Sequence, residues 1–217
     1  PQPNTNVLRT FHALHWHRIR RHAIVRRGTS DTGAEMLDPQ ARAVLDFWFD
    51  ELWPPQWFTQ DASLDASIRA RFGALYENLV ANGVGDWDKT AEGCLAAILV
   101  FDQFPRNMFR DDPRAFATDE KARALTRHAL DKGFDTDQPE DRRAFFYIPL
   151  EHSEDAADQE KCCDLMRQLS NPTYLDFAER HRAIIDRFGR FPHRNAILGR
   201  DSTPEELAFL EEEGSAF

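Results

Sequence analysis

Residues 94–104 read CLAAILVFDQF. Nearly every position is apolar, so a helix here has no face to offer water and belongs in the middle of a core. Thr90 is the capping residue that opens it, and Pro105 predicts its end. A central buried helix needs others packed around it, and the flanking sequence supplies them.

Upstream, residues 61–82 place Leu64, Ile68, Phe72, Leu75 and Leu79 at spacings of three and four and stop at Gly83. Asp38-Pro39 reads as a helix start, a capping carboxylate followed by proline in the first turn, with Val44, Leu45, Phe47 and Trp48 as its apolar face. Downstream, Thr118 or Asp119 opens DEKARALTRHALDK and Gly133 closes it. Pro139 begins a short helix ending near Pro149, and Ser153 caps the next, EDAADQEKCCDLMRQL. Pro172 starts TYLDFAERHRAIIDRF, with Gly189 behind it. Thr203-Pro-Glu-Glu206 is a capping box before Leu207, Phe209 and Leu210. The sum is about eight helices joined by short turns, with no strand run, which predicts an all-α domain of hairpins stacked antiparallel.

The chain has 217 residues, 41% hydrophobic and 29% charged, enough for a sizeable core without disulfide staples. Cys94, Cys162 and Cys163 form no CxxC pair and are odd in number, which points to reduced thiols and a cytoplasmic protein. No run of about 18 apolar residues predicts a membrane span. A formal net charge of -10 argues against nucleic acid as a partner of the core domain.

That charge is unevenly spread. Residues 1–30 carry Arg9, Arg18, Arg20, Arg21, Arg26 and Arg27 and no acidic residue, along with His12, His15, His17 and His22. Residues 1–35 are therefore set apart as a basic N-terminal extension, with 36–217 expected to form a single domain. The extension reads as a variable arm without chemistry. The alternatives are a metal- or nucleic-acid-binding tail, or a presequence, in which case the protein is organelle-targeted.

Two segments echo each other. Residues 101–111 (FDQFPRNMFRD) and 188–201 (FGRFPHRNAILGRD) both hold Phe-x-x-Phe-Pro, then Arg-Asn, then Arg-Asp. Chance and a duplicated helical unit both account for this. A duplication would bring two helix C-terminal corners, with similar polar groups, together from distant parts of the chain.

VLDFWF (44–49), WF (57–58), FDQFPRN (101–107), FATDEKA (116–122), PLEHSEDAADQ (149–159) and RFGRFPHRNAILGRDST (187–203), taken in this order, resemble the bacterial DUF924 family, a family of unknown function. The resemblance runs from about residue 40 to the C-terminus. Leu150 and Glu151 depart from it, standing where the family has phenylalanine and an apolar residue, usually methionine. The resemblance implies a fold similar to the tetratricopeptide-like α-α superhelices, and it carries no activity with it.

The chemistry is read from the residues. Arg106 and Asn107 follow Asp102 and Gln103 across Pro105, while Arg190, His193, Arg194 and Asn195 lie between Gly189 and the last helix. Arginine offers a planar fork of donors suited to carboxylate or phosphate, and asparagine donates and accepts. In the third segment, His152 precedes a helix start with Ser153, Glu154, Asp155 and Gln159, whose free backbone N–H groups favour an anion. His181 lies near the apolar face of its helix. The segments 102–107, 152–155 and 190–195 are expected to converge on one hollow. In it Asp102, Gln103, Arg106, Asn107, Ser153, Asp155, Gln159, His181, Arg190, Arg194 and Asn195 would bind the ligand. His152, His193 and Glu154 would handle the proton. The competing reading makes the same groups an internal ion-pair network, with Arg190 and Arg194 on Asp102, Asp119 or Glu154. His152, His181 and His193 with Asp102 or Glu154 could suit zinc or iron, but no spacing forms a local motif such as HExxH, so no metal and no cofactor are expected.

Two function classes follow. One is an enzyme or sensor for a small anionic molecule; no GxSxG nucleophile and no Gly-rich phosphate loop is present to narrow the reaction. The other is a tetratricopeptide-like scaffold whose arginines clamp an acidic peptide.

Overall fold

The structure is a computed structural model that describes residues 37–212 and Ser215. The basic arm of residues 1–35, with its proposed roles, lies outside the described residues. Among the described residues eight α-helices follow one another: α1 Pro39–Leu45, α2 Ala62–Asn82, α3 Ala91–Met108, α4 Asp119–Lys132, α5 Glu140–Glu151, α6 Ala156–Met166, α7 Pro172–Phe188 and α8 Pro204–Leu210. There is no strand among the described residues, so the domain is all-α.

The helix ends follow from local chemistry. Asp38 accepts from the N–H groups of Gln40 and Ala41, Asp61 from Ser63 and Leu64, and Thr90 from Gly93. Thr203 and Glu206 exchange the two bonds of a capping box. Gly133 and Gly189 take the left-handed conformation that ends α4 and α7, which a side chain would disfavour. Asp155, not Ser153, caps α6: its carboxylate accepts from Ala157 and Asp158. The Ser153 hydroxyl instead donates to Asp158 at 2.8 Å and accepts from the Asp155 N–H.

α3 sits at the centre, as its composition requires. It packs on α1, α2, α4 and α5, and the chain then continues as neighbouring pairs α4–α5, α5–α6 and α6–α7. Leu95 through Val100 are all buried. Aromatic rings knit the first helices to it: Phe72 lies 4.9 Å from Phe104 and 5.1 Å from Phe47, and Trp48 meets Phe145 edge-on at 5.5 Å.

Pro105 does not end α3; the helix runs three residues further. A proline here removes the N–H that would bond the Phe101 carbonyl. The Thr118 hydroxyl donates to that carbonyl instead, at 2.6 Å, so the break in the ladder is repaired from the start of α4. Pro149 is likewise inside α5. The two echoed segments therefore differ locally: Pro105 lies within a helix, whereas Pro192 opens a 3-10 turn, Pro192–Arg194.

Candidate functional site

Three segments distant in sequence meet beside the C-terminal half of α3. Asp102 and Arg106 are one turn apart on that helix, with 3.3 Å between carboxylate and guanidinium. His152 caps the end of α5 and brings its Nδ1 to 2.8 Å from Asp102 Oδ1. From the 3-10 turn after α7 come Phe191, His193 and Arg194.

Asp102 is almost completely buried. Burial opposes its ionisation, but the Arg106 guanidinium and hydrogen bonds from His152 and Gln103 hold the carboxyl below the ordinary carboxylate range. It is thus an anion that accepts from His152 Nδ1–H, which fixes the ring and puts its lone pair on Nε2. Burial, then Arg106, lowers the pKa of His152, so the imidazole is neutral near pH 7.

Asp119, at the first position of α4, organises the arginines. Arg106 grips it with both prongs of the fork, at 2.9 and 3.0 Å, and also donates to the Asp102 carbonyl at 2.7 Å. Arg194 reaches the same carboxylate only at 3.7 Å. Its guanidinium carbon lies 4.7 Å from the centre of the Phe116 ring and 4.4 Å from that of Phe191, and its Nε is buried with no hydrogen-bond partner. Burial, then the charge of Arg106, lowers its pKa to about 10, so it remains a cation.

The Phe191 ring is fully buried and gathers the histidines. His181 meets it edge-on at 5.7 Å, and His193 tilts against it at 5.6 Å. His193 Nδ1 is buried without a hydrogen-bond partner. Burial first, then Arg194 and His152, brings its pKa down to about 4, while burial and His152 bring that of His181 to about 3. Glu151, the departure noted in the sequence, is buried within 3.3 Å of His181 Nδ1. Burial, then the Asp102 charge, raises its pKa to about 8, so this carboxyl is largely protonated near neutrality.

The remaining residues expected at the site are engaged with partners of their own. Arg190 forms a two-pronged pair with Glu206 at 2.7 and 2.8 Å and donates to the Asp201 carbonyl. Glu154 is taken by Arg200, at 2.7 and 3.0 Å, and accepts the Phe191 N–H. Asn195 donates to Ser202, and Asn107 bonds the Gln103 carbonyl and Arg110. Gln159 is buried and donates to the carbonyls of Glu151 and Ser153, closing the turn between α5 and α6. Gln103 donates to Asp102 at 2.6 Å, and Asp155 caps α6.

Residue reading did not assign Arg200 or Phe116 a part. Arg200 belongs to the Arg-Asp that ends the second echoed segment, and Phe116 opens the FATDEKA block; both lie in stretches that carry the family resemblance, which marks neither as a site residue. The echo does have a spatial counterpart: Arg106 and Arg194, at corresponding places after each Phe-Pro, both face Asp119.

No helix among the described residues is long and apolar enough to cross a membrane. No curated protein matches the chain. The chain is similar to the solved structure of a protein of unknown function from Agrobacterium tumefaciens, with 44% identity and a TM-score of 0.76, over 79% of this chain and 97% of that one. Residues 44–214 match the family described as a bacterial protein of unknown function, DUF924, and the chain belongs to that family.

Proposed function

We propose that the protein binds a small anion, a carboxylate or phosphate, at Arg194, within a single domain that begins near residue 36. The observation that carries this is a contrast among arginines. Arg106, Arg190 and Arg200 each spend two fork nitrogens on one carboxylate. Arg194 lies over two phenyl rings with no hydrogen bond to its guanidinium and a carboxylate only at 3.7 Å. A buried cation whose donors are unspent is costly unless an acceptor joins it. His193, with its unpartnered Nδ1, supplies the second polar contact and the group suited to exchange a proton with the bound molecule. His152 and Asp102 set the local charge, Arg106 holds Asp119 in place, and Glu154 positions the turn through the Phe191 N–H.

The pairing of the other arginines supports a narrower form of the second reading. The Arg190–Glu206 and Arg200–Glu154 pairs are latches on the C-terminal segment, as in an ion-pair network within a tetratricopeptide-like scaffold. Three buried, unpaired thiols suit a reducing, cytoplasmic setting.

Thermal melting of the full chain with phosphate or citrate tests the reading. At about 100 times its dissociation constant, an anion that binds only the folded state raises Tm by about 5 °C or more. Arg194→Gln should remove that shift while leaving the anion-free Tm little changed. A parent protein that neither anion stabilises, or a shift that survives the substitution, refutes the proposal.

A further inference from the structure

Glu151 ends α5, His152 follows it directly, and His181 comes from α7, which packs on α5. A carboxylate oxygen of Glu151 and one ring nitrogen each of His152 and His181 all lie within 4.8 Å of one another. Glu151 and His181 are buried, and the His152 side chain is 15% exposed.

The surroundings of the two rings are as telling as their closeness. His152 Nδ1 faces the Asp102 carboxylate at 2.8 Å, and His181 Nδ1 faces the Phe177 carbonyl at 2.9 Å. An acceptor at Nδ1 fixes the proton there and the lone pair on Nε2. Carboxylate or carbonyl oxygens hold metal-ligating imidazoles in just this way. The backing oxygen is a carboxylate for His152 and a carbonyl for His181, where Glu151 Oε1 also lies 3.3 Å from the same ring nitrogen. A carboxyl group buried beside two imidazoles is costly on its own, and a cation between them would offset the desolvation of all three.

We infer that Glu151, His152 and His181 bind one divalent first-row transition-metal ion, of which zinc and ferrous iron fit a ligand set of two imidazoles and one carboxylate. Asp102 is then a positioning residue, acting through His152. The inference stands apart from anion binding: Arg194 contributes no ligand. Were the metal present, His152 would be committed to it, which leaves His193 as the imidazole available for proton exchange.

Zinc binding by the full chain decides the matter. Because the arm carries four histidines of its own, the parent for this experiment is the full chain with His12, His15, His17 and His22 changed to glutamine. After treatment with EDTA it is dialysed against Zn2+, and metal per chain is measured. The expected result is one equivalent, lost in the Glu151→Gln/His181→Gln double variant. Asp102→Asn should weaken zinc about 10–100-fold, because a neutral amide oxygen backs the His152 Nδ1–H less strongly than the carboxylate. Arg194→Gln should retain the full equivalent, so a failed anion site and a failed metal site give different patterns. Substituting Co2+ for Zn2+ supplies a check independent of the double variant's folding: visible d–d absorption saturating at one equivalent is expected. A parent that holds no zinc and develops no such band has a protonated Glu151 bonded among imidazoles, and the inference is overturned.

Discussion

Arg194 stands 3.7 Å from the nearer oxygen of Asp119, inside the range of Coulomb attraction and outside that of a hydrogen bond. Arg106 has taken both oxygens of that carboxylate at hydrogen-bond distance. One anion therefore serves two cations unequally, and the two arginines should differ in what their loss costs.

Removing Arg106 strands two buried carboxylates, Asp102 and Asp119. Breaking such a pair from one side leaves an uncompensated charge, so Arg106→Gln is expected to lose about 3 kcal/mol of stability. Removing Arg194 strands nothing that is not already held by Arg106. It forfeits two ring contacts but also relieves the burial of a poorly bonded cation, so Arg194→Gln should cost less than about 1 kcal/mol. Urea unfolding of both variants measures the contrast. Equal losses would mean that Arg194 is as much a structural partner of Asp119 as Arg106 is.

The helical fold was legible because its signals are local. Asp38-Pro39, the Thr203–Glu206 box, Gly133 and Gly189 each act within one turn of the residues they cap, so the sequence alone places them. Pro105 was misread because its cost is offset by Thr118, thirteen residues on and in another helix. The same limit applies to the charges. That the segments 102–107, 152–155 and 190–195 would meet is an expectation drawn from their polar residues; whether Arg190 faces inward or pairs with Glu206 depends on where α8 lies. Glu151 stood out only as a charged residue where the DUF924 family has an apolar one; its proximity to His181 is a tertiary fact.

Glu206 gives a pH dependence with a definite sign. Hydrogen bonds from Arg190 and from the Thr203 N–H hold its carboxyl down at about 2. In the unfolded chain a glutamate titrates near 4.3. Between these values the unfolded state binds more protons, so the group's contribution is present above about pH 4.3 and is lost as pH falls toward 2. Glu206→Gln should therefore be less stable than the parent at pH 7, with the gap narrowing as pH falls through this window. Urea midpoints at several pH values from 7 to 3 check this. A gap that stays constant with pH would assign the contribution to packing rather than to the charge.

Thr118 and Pro105 should prove energetically coupled. In the parent, Thr118→Val leaves the buried Phe101 carbonyl without its donor, at an expected cost of about 1–3 kcal/mol. Pro105→Ala restores the backbone N–H that the helix would ordinarily aim at that carbonyl, so in its presence the Thr118 hydroxyl becomes redundant. The cost of Thr118→Val should then fall by at least about 1 kcal/mol, a coupling of the size expected for groups that share a partner. A double-mutant cycle by chemical denaturation provides the measurement. Thr118 contacts α3 through a carbonyl one residue before Asp102, so the same cycle followed with zinc or anion binding as the readout asks whether that repair also sets the position of the Asp102–His152 pair. Purely additive stabilities would show that Phe101 finds its partner elsewhere, and that the length of α3 beyond Pro105 owes nothing to Thr118.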